Sequence, residues 1–582
     1  MKRSLPIILI CLCFIISLAF AGCHKADMAD VDAEEVATWF AIDEQPPPSQ
    51  GDEGVPIAEE GEEEAPPVPL PDEPGYALQE LRLVRLDGTE LELSDRPIPL
   101  RVSVRAKLSR ALSDEERSQF ESDFGLKDAA ANIVSGAFEW SAANDEARFT
   151  LVRNLKHATL YSMQIAGSDH SFTTMVKGDI DGDGYADAIV SETGHDSDRG
   201  RVWFYGGKPL NQGTFAGVSR EGENKGDRFG HAVDFAGDIN GDGYEDVAVG
   251  APGFDKNDKS DMGKFYLYRG PDLDLAGYVY SGAAGAKLGQ AVAGCDLDGD
   301  GLSDVVAGAP EYPMYKGRVV VMMGGLPYPK LGTKLDGHGT GSQLKFGSAL
   351  ACLDDSDGDG STDLAIGSPS YGPLKPGQGR VSIHRGAELA RVTEFYGEAA
   401  GDALGFSIAP IEDLGSDRRT DLIAGAPGAA GRGAVYLYQL SDNMSASPYY
   451  AKATWPATDA DMGLFGFTVV AVPDMSGDGK QDVLVGAPSY KAGKGAVFIV
   501  EGAPQMSKKK FRYGTESGLG LGTALAYTSN MNGPGVMMGE PGRDEGKGRV
   551  IVTGFPNIET VLATGDAGDL KGDMRGMPIR AH

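Results

Sequence analysis

The sequence predicts an all-β chain, a seven-bladed β-propeller preceded by a small β-sandwich. Three observations predict it. Acidic loops recur at an almost fixed interval. Short β-branched or aromatic runs, bounded by Gly, Pro and Asp, accompany each loop. Residues 77–170 hold alternating apolar runs of their own. A fixed period of this size implies a repeat architecture, and such short runs between turn residues read as strands.

Five loops are intact. Their positions 1, 3, 5, 7 and 9 are Asp179, Asp181, Asp183, Tyr185 and Asp187 in the first, and Asp238, Asn240, Asp242, Tyr244 and Asp246 in the second. The third has Asp296, Asp298, Asp300, Leu302 and Asp304, and the fourth Asp355, Asp357, Asp359, Ser361 and Asp363. The fifth intact loop has Asp474, Ser476, Asp478, Lys480 and Asp482. Side-chain oxygens at 1, 3, 5 and 9, a backbone carbonyl at 7 and glycine at 6 suit a hard cation such as Ca²⁺. About five structural Ca²⁺ ions are the expectation. An EF-hand would need a bidentate Glu at position 12, where the first two loops have Val190 and Val249. Metal-free Asp-Gly turns are the bland alternative. They do not explain why the oxygens keep register five times.

Starting at residues 179, 238, 296, 355, 413, 474 and 530, the units are seven. The loops at Asp413 and Asn530 are degraded. In the first of these Gly415 replaces a ligand and Arg418 the turn glycine, and the other keeps no carboxylate. Neither is expected to hold metal. Arg418 either fills the ion's place or faces solvent.

Each unit carries three further marks. Upstream of the loop sits an apolar–Gly pair: Phe229-Gly230, Leu288-Gly289, Phe346-Gly347, Leu404-Gly405, Phe465-Gly466 and Leu521-Gly522. Downstream, an apolar run ends in Gly-Ala-Pro at Pro252, Pro310, Pro427 and Pro488, varied to Ser368-Pro369 and Glu540-Pro541. A run opened by glycine follows, as at Gly200 to Tyr205 and Gly263 to Tyr268. Three strands per unit are clear and a fourth is weaker, as at Gly277 to Tyr280. Four strands in seven units are the arithmetic of a propeller, whose radial repetition leaves only short, protected edges. The first unit lacks the apolar–Gly pair. How the ring closes is not legible, and the tail (567–582) either lies against the first blade or is loose.

These units resemble FG-GAP repeats, the blades of the integrin α-subunit propeller and of many bacterial surface proteins. The resemblance covers roughly residues 171–566. It implies calcium loops on one face and ligand-binding loops on the other, after each Gly-Ala-Pro. The candidates there are Tyr312, Tyr315, Tyr371 and Tyr490, with Phe254 and Asp255. Ordinary loop packing is the alternative for each. The integrin metal site for ligand lies in an inserted domain that this chain lacks, so that mode of capture is not implied.

Residues 1–22 read as a targeting segment, with Lys2 and Arg3 before an apolar core from Leu5 to Phe20. Phe20-Ala21-Gly22-Cys23 resembles the lipobox of bacterial lipoproteins. That resemblance implies lipidation of Cys23 and an outer-membrane anchor in a bacterial envelope, its facing undetermined. A plain signal peptide is the alternative. Residues 23–76 read as a disordered tether, acidic and Pro-rich, self-repelling and unable to bury a core. In residues 77–170, Ser113 and Glu116 form a capping-box signal for one short helical turn. The run order there resembles bacterial immunoglobulin-like domains. Cys295 and Cys352 fall on first strands of neighbouring units, and free buried thiols are expected rather than a disulfide.

No nucleophile elbow, His-Glu-x-x-His or P-loop is present. A net charge of −32 opposes nucleic-acid binding. The expected function is a membrane-anchored, calcium-binding recognition or adhesion protein that binds protein or glycan, a monomer and not an enzyme. The alternative is a non-catalytic scaffold for envelope assembly. An enzyme is the third reading.

Overall fold

The computed structural model describes residues 76–581, except 87, 95–97, 152–154, 156–158, 207–217, 313–315, 326–328, 340–343, 387, 413–418, 441–450, 455–462, 503–505, 529–534, 543–547, 555–557 and 565–578. The expected leader, Cys23, the tether, Tyr315 and the two degraded loop tips therefore lie outside the described residues.

The N-terminal part is two sheets sharing one core. Leu78–Val84, Ser103–Leu108, Glu146–Leu151 and Gly136–Trp140 pair in that order, with Glu90–Leu91 on the outer side of the first. Gly125–Asp128, Leu160–Ile165 and Ser168–Thr173 make the second sheet. Leu83, Val104 and Phe149 from one sheet meet Leu126, Tyr161 and Phe172 from the other. The expected boundary at residue 170 falls inside a strand, because Phe172 fills this core. The helix is also longer than one turn and runs over Asp114–Asp123. Ser113 and Glu116 cap it as the sequence implies, with Ser113 N–H donating to Glu116 at 2.8 Å. Phe120 anchors its buried side.

The remainder forms seven four-stranded antiparallel sheets in succession. Blade 2, for example, is Ala232–Gly237, Asp246–Ala251, Lys264–Arg269 and Asp274–Tyr280, and the weak fourth strand of the sequence is real. The innermost strand of each blade touches the next one around, and the last touches the first. The second strands are buried from end to end, as expected where two faces are covered by neighbouring blades.

The recurrent glycines build the seams. A Cβ on Gly250 would lie 2.0 Å from the carbonyl oxygen of Gly289 in the next blade, and one on Gly308 would lie 1.9 Å from that of Gly347. The Gly-Ala-Pro glycine of one blade thus touches the apolar–Gly glycine of the next, closer than any side chain permits. The apolar member of each pair is wholly buried between the two blades, as are Phe229, Phe346 and Phe465. Its backbone bridges in parallel to the glycine opening the previous blade's third strand, as in Gly317 with Phe346.

Two expectations need correction. The expected propeller boundary at residue 566 is too early, because the tail lies against the first blade, as one of its two alternatives had it: Ile579–Ala581 pairs antiparallel with Ala188–Glu192 and supplies the inner strand of blade 1. This is why the first unit has no apolar–Gly pair of its own. Cys295 and Cys352 are also not free thiols. They form a disulfide between the inner strands of blades 3 and 4, with Cα atoms 5.8 Å apart, within the range a bridge requires. Cys352 sits one residue before the counterpart of Cys295, which is Leu353, and the close approach of adjacent inner strands brings the two sulfurs together.

Candidate metal centres

Each acidic loop joins the inner strand of its blade to the second strand, and in blade 1 it leads in from the N-terminal domain. Backbone amides fold it around its first carboxylate. Asp179 accepts from the N–H of Gly182 (2.7 Å), Asp183 (3.1 Å) and Gly184 (2.9 Å). Asp238 does the same with Gly241, Asp242 and Gly243, and Asp474 with Gly477, Asp478 and Gly479. Left-handed glycines at positions 4 and 6 turn those amides inward, as Gly182 (φ 74°) and Gly184 (φ 89°) do.

The ninth position has a second task. Asp246, Asp304, Asp363 and Asp482 each accept one N–H from position 2 of the loop, at 2.8–2.9 Å. Each also accepts one from a residue one or two past the third strand: Gly270, Gly324, Gly386 or Gly502. Asp421 keeps the latter bond, to Leu440 at 2.8 Å, although its loop has lost the ligand pattern. The ninth Asp therefore braces every such blade whether or not a cation is held.

Carboxylates converge in four of the five intact loops. Oxygens of Asp179, Asp181 and Asp187 lie within 4.8 Å of one another, as do those of Asp296, Asp298 and Asp300. The same holds for Asp355, Asp357 and Asp359, and for Asp474, Asp478 and Asp482. The second loop forms no such triad among the described residues. There the Asn240 amide donates to Asp242 at 2.9 Å. Three hard oxygens at this separation fit an oxygen-seeking cation. Tyr185, Tyr244, Leu302, Ser361 and Lys480 occupy the seventh positions, from which a backbone carbonyl would complete the set. In the fourth loop Arg385 pairs with Asp357 and shares that carboxylate with any ion.

Burial makes these charges costly. It pushes Asp179 up to about 6, Asp363 to about 7 and Asp304 to about 8, with neighbouring carboxylates adding to the rise. Asp474, the most open of the first positions, moves the other way. Its slight desolvation is outweighed by amide bonds from Gly479 and Gly477. A divalent cation reverses the first pattern by supplying the missing positive charge. The third loop is also covered. A Cβ on Gly301 would lie 2.5 Å from Arg101 Cγ of the N-terminal domain, whereas Gly184, Gly360 and Gly479 face open space.

The tyrosines expected to meet ligand do other work. Tyr490 is 2% exposed, stacked on Tyr513 at 5.3 Å, and cannot reach a partner. Tyr371 lies under the Arg380 guanidinium at 4.2 Å and against Tyr396. Tyr312 lies under Arg318 at 4.0 Å. Phe254 is buried beside Lys264, whose ammonium also sits over Tyr266 and Tyr278. In blades 2, 3 and 4 the residue after the third-strand glycine is a cation (Lys264, Arg318 or Arg380) that takes its aromatic from the Gly-Ala-Pro loop. That pattern was present in the sequence and identifies these rings as packing partners.

A family model described as the FG-GAP repeat matches residues 229–268, 288–322, 346–384 and 465–500, which are blades 2, 3, 4 and 6. Similar curated proteins include integrin alpha-E of Homo sapiens, 33% identical over 37% of this chain and 18% of its own length. Integrin alpha pat-2 of Caenorhabditis briggsae is 30% identical over 46% of this chain and 23% of its own length. Phosphatidylinositol-glycan-specific phospholipase D of Homo sapiens is 28% identical over 45% of this chain and 35% of its own length. The matched region spans about a third or less of these relatives, which include an enzyme as well as integrin subunits. Repeats, ring and relatives together make this chain an FG-GAP β-propeller protein.

Proposed function

We propose that the chain is a calcium-stiffened recognition module, tethered to a bacterial envelope through a lipid on Cys23. The observation that carries the calcium part is the four carboxylate triads at equivalent positions of four blades. Extracellular calcium modules bind at about 10⁻⁴ to 10⁻³ M. At tenfold excess over Kd, each ion adds roughly 1.4 kcal/mol to stability. The Cys295–Cys352 disulfide supports an oxidising compartment. Adhesion or recognition is the role the integrin relatives favour. Protein or glycan ligands, the outer-membrane position and a monomeric state remain parts of this reading.

Three measurements test it. Adding EDTA should lower the melting temperature, and an unchanged value sinks the calcium reading. Binding of the protein to protein and glycan arrays should need Ca²⁺ and fail in EGTA. Labelling with a lipid precursor, abolished by Cys23→Ala, tests the anchor.

The scaffold reading has one observation of its own. Leu275, Tyr278, Leu331 and Tyr396 stand exposed on the outer strands of blades 2 to 4, and docking surfaces are built from such groups where they are contiguous. Loss of a co-purifying envelope partner in Leu275→Asp with Tyr278→Asp, with array binding intact, would favour it.

A further inference from the structure

A cavity of about 2150 Å³ runs along the propeller axis. At the metal-loop end it is lined by Asp238, Asp296 and Asp355 together with Leu100, Leu155 and Met175 of the N-terminal domain. The other end is ringed by the residues on either side of the apolar–Gly pairs.

That rim has two unlike halves. The residue before each pair is Arg228, Lys287 and Lys345 in blades 2 to 4, but Ala403 and Leu464 in blades 5 and 6. The residue after each pair is His231, Gln290 and Ser348 in blades 2 to 4, but Phe406 and Phe467 in blades 5 and 6. Three basic residues thus face an aromatic pair whose centroids are 4.8 Å apart. Phe406 is 38% exposed. His231 bonds Gln290 at 2.6 Å, and burial with the charges of Arg228 and Lys287 lowers its pKa to about 4, so it stays neutral. Asp198, Asp261 and Glu311 also line this end. Lys287 pairs with Glu311 at 3.2 Å. Arg228 and Lys345 make no ion pair among the described residues.

The backbone is the second observation. Arg228 (φ 54°), Lys287 (φ 56°), Lys345 (φ 54°), Ala403 (φ 57°) and Leu464 (φ 54°) are all left-handed, and the equivalent residue of blade 7 is Gly520 (φ 65°). Glycine serves this turn without strain, so five side chains are carried here against a conformational cost. Each of the five points into the cavity lining.

We propose that this end of the channel binds an extended protein segment bearing carboxylates and an aromatic or large apolar side chain. The carboxylates meet Arg228 and Lys345, and the apolar group meets Phe406 and Phe467. The cavity exceeds the roughly 300–1,000 Å³ of small-molecule clefts, which favours a polymer. Inner strands are the edge strands of their sheets, so main-chain hydrogen bonding to a peptide is available along the wall. Phenylalanines beside Ala403 and Leu464 form a wholly apolar half, which suits a hydrophobic side chain better than a sugar. The proposal rests on the recognition reading and names its partner's chemistry.

The test uses the full chain and a fluorescein-labelled synthetic peptide of alternating glutamate and phenylalanine. Saturable binding is expected, weakening at high salt. The pair Arg228→Glu with Lys345→Glu, and separately Phe406→Ser, should each weaken it at least about tenfold, a loss of 1.4 kcal/mol, while the melting temperature stays within a few degrees. A lysine–phenylalanine peptide should not bind. Equal binding of both peptides, or binding untouched by either variant, overturns the proposal. If no peptide binds while calcium-dependent array binding survives in the variants, this inference falls and the recognition reading stands. If neither assay shows binding, both fall.

Discussion

Two places in the ring are closed by different means. Between blades 3 and 4 the seam has everything the repeat supplies: Gly308 against Gly347, Phe346 buried between sheets, and a disulfide from Cys295 to Cys352 across the inner strands. Blade 1 lacks an inner strand of its own and takes three residues, Ile579–Ala581, from the far end of the chain. Seams between sequential blades are local, repeated and redundant. The closing strand is single, short and distant. A circular structure is as secure as its weakest joint, so the two should respond very differently to damage.

Deleting residues 579–582 should have the largest effect, because Ala188–Glu192 then loses its inner partner and the ring opens. We expect the melting temperature to fall by about 10 °C or more and the transition to broaden, read by calorimetry. A change under 2 °C would show that the closing strand is dispensable. Gly308→Ala tests the seam instead. Its methyl must displace the Gly347 carbonyl, and a loss of about 3 kcal/mol is expected in urea titration. Gly184→Ala, with open space around it, should cost less through steric contact, although its left-handed backbone still penalises alanine.

Cys295→Ser with Cys352→Ser should cost about 2–4 kcal/mol, less than opening blade 1. Reductant should lower the wild-type melting temperature to that of the variant and leave the variant unchanged. The smallest effect belongs to a charge cluster at the margin of the blade 3–4 seam, where His338 packs on Phe346. Glu394 joins His338 (2.6 Å), Arg380 (2.9 Å) and Tyr396 in blade 4. Desolvation there is outweighed by hydrogen bonds from Tyr396 and His338 and by the Arg380 charge, which lowers the Glu394 pKa to about 2. A depressed carboxylate stabilises the fold above its unfolded value near 4.5 and loses that contribution as pH falls toward 2. Glu394→Gln should therefore cost about 1–2 kcal/mol at pH 6, and the gap to wild type should close by pH 2. A gap that persists there would assign the loss to packing.

Much of this was legible because repetition multiplies weak signals. One Asp-rich loop is ambiguous, but five in register with glycine pairs before them and Gly-Ala-Pro after them fix strand order in blades 2 to 7. The candidate ligands at positions 1, 3, 5 and 9 were readable for the same reason, and in four loops three of those four positions bring carboxylates together. What escaped was set by contacts between distant residues. Ile579-Arg580-Ala581 carries no motif, so nothing local marks it as the missing strand. The disulfide follows from ring geometry, in which Cys295 and Cys352 lie on adjacent inner strands, offset by one residue in register, so the repeat pattern alone did not pair them. Tyr312, Tyr371 and Tyr490 looked presentable because loops usually face water. The neighbouring cations and rings that claim them were visible, yet their meaning depends on the twist of each blade.

The closing strand also sets an order in time. Ile579 pairs with Val190, 389 residues earlier, and a ribosome makes it after every other strand of the ring. Blades 2 to 7 can each gather their four strands as they emerge, but blade 1 must wait for translation to reach Ile579. A chain cut short by stalling or proteolysis keeps most of its repeats and never completes the circle. Circularisation thus acts as a proofreading step, in which only a polypeptide translated through Ala581 acquires a finished ring.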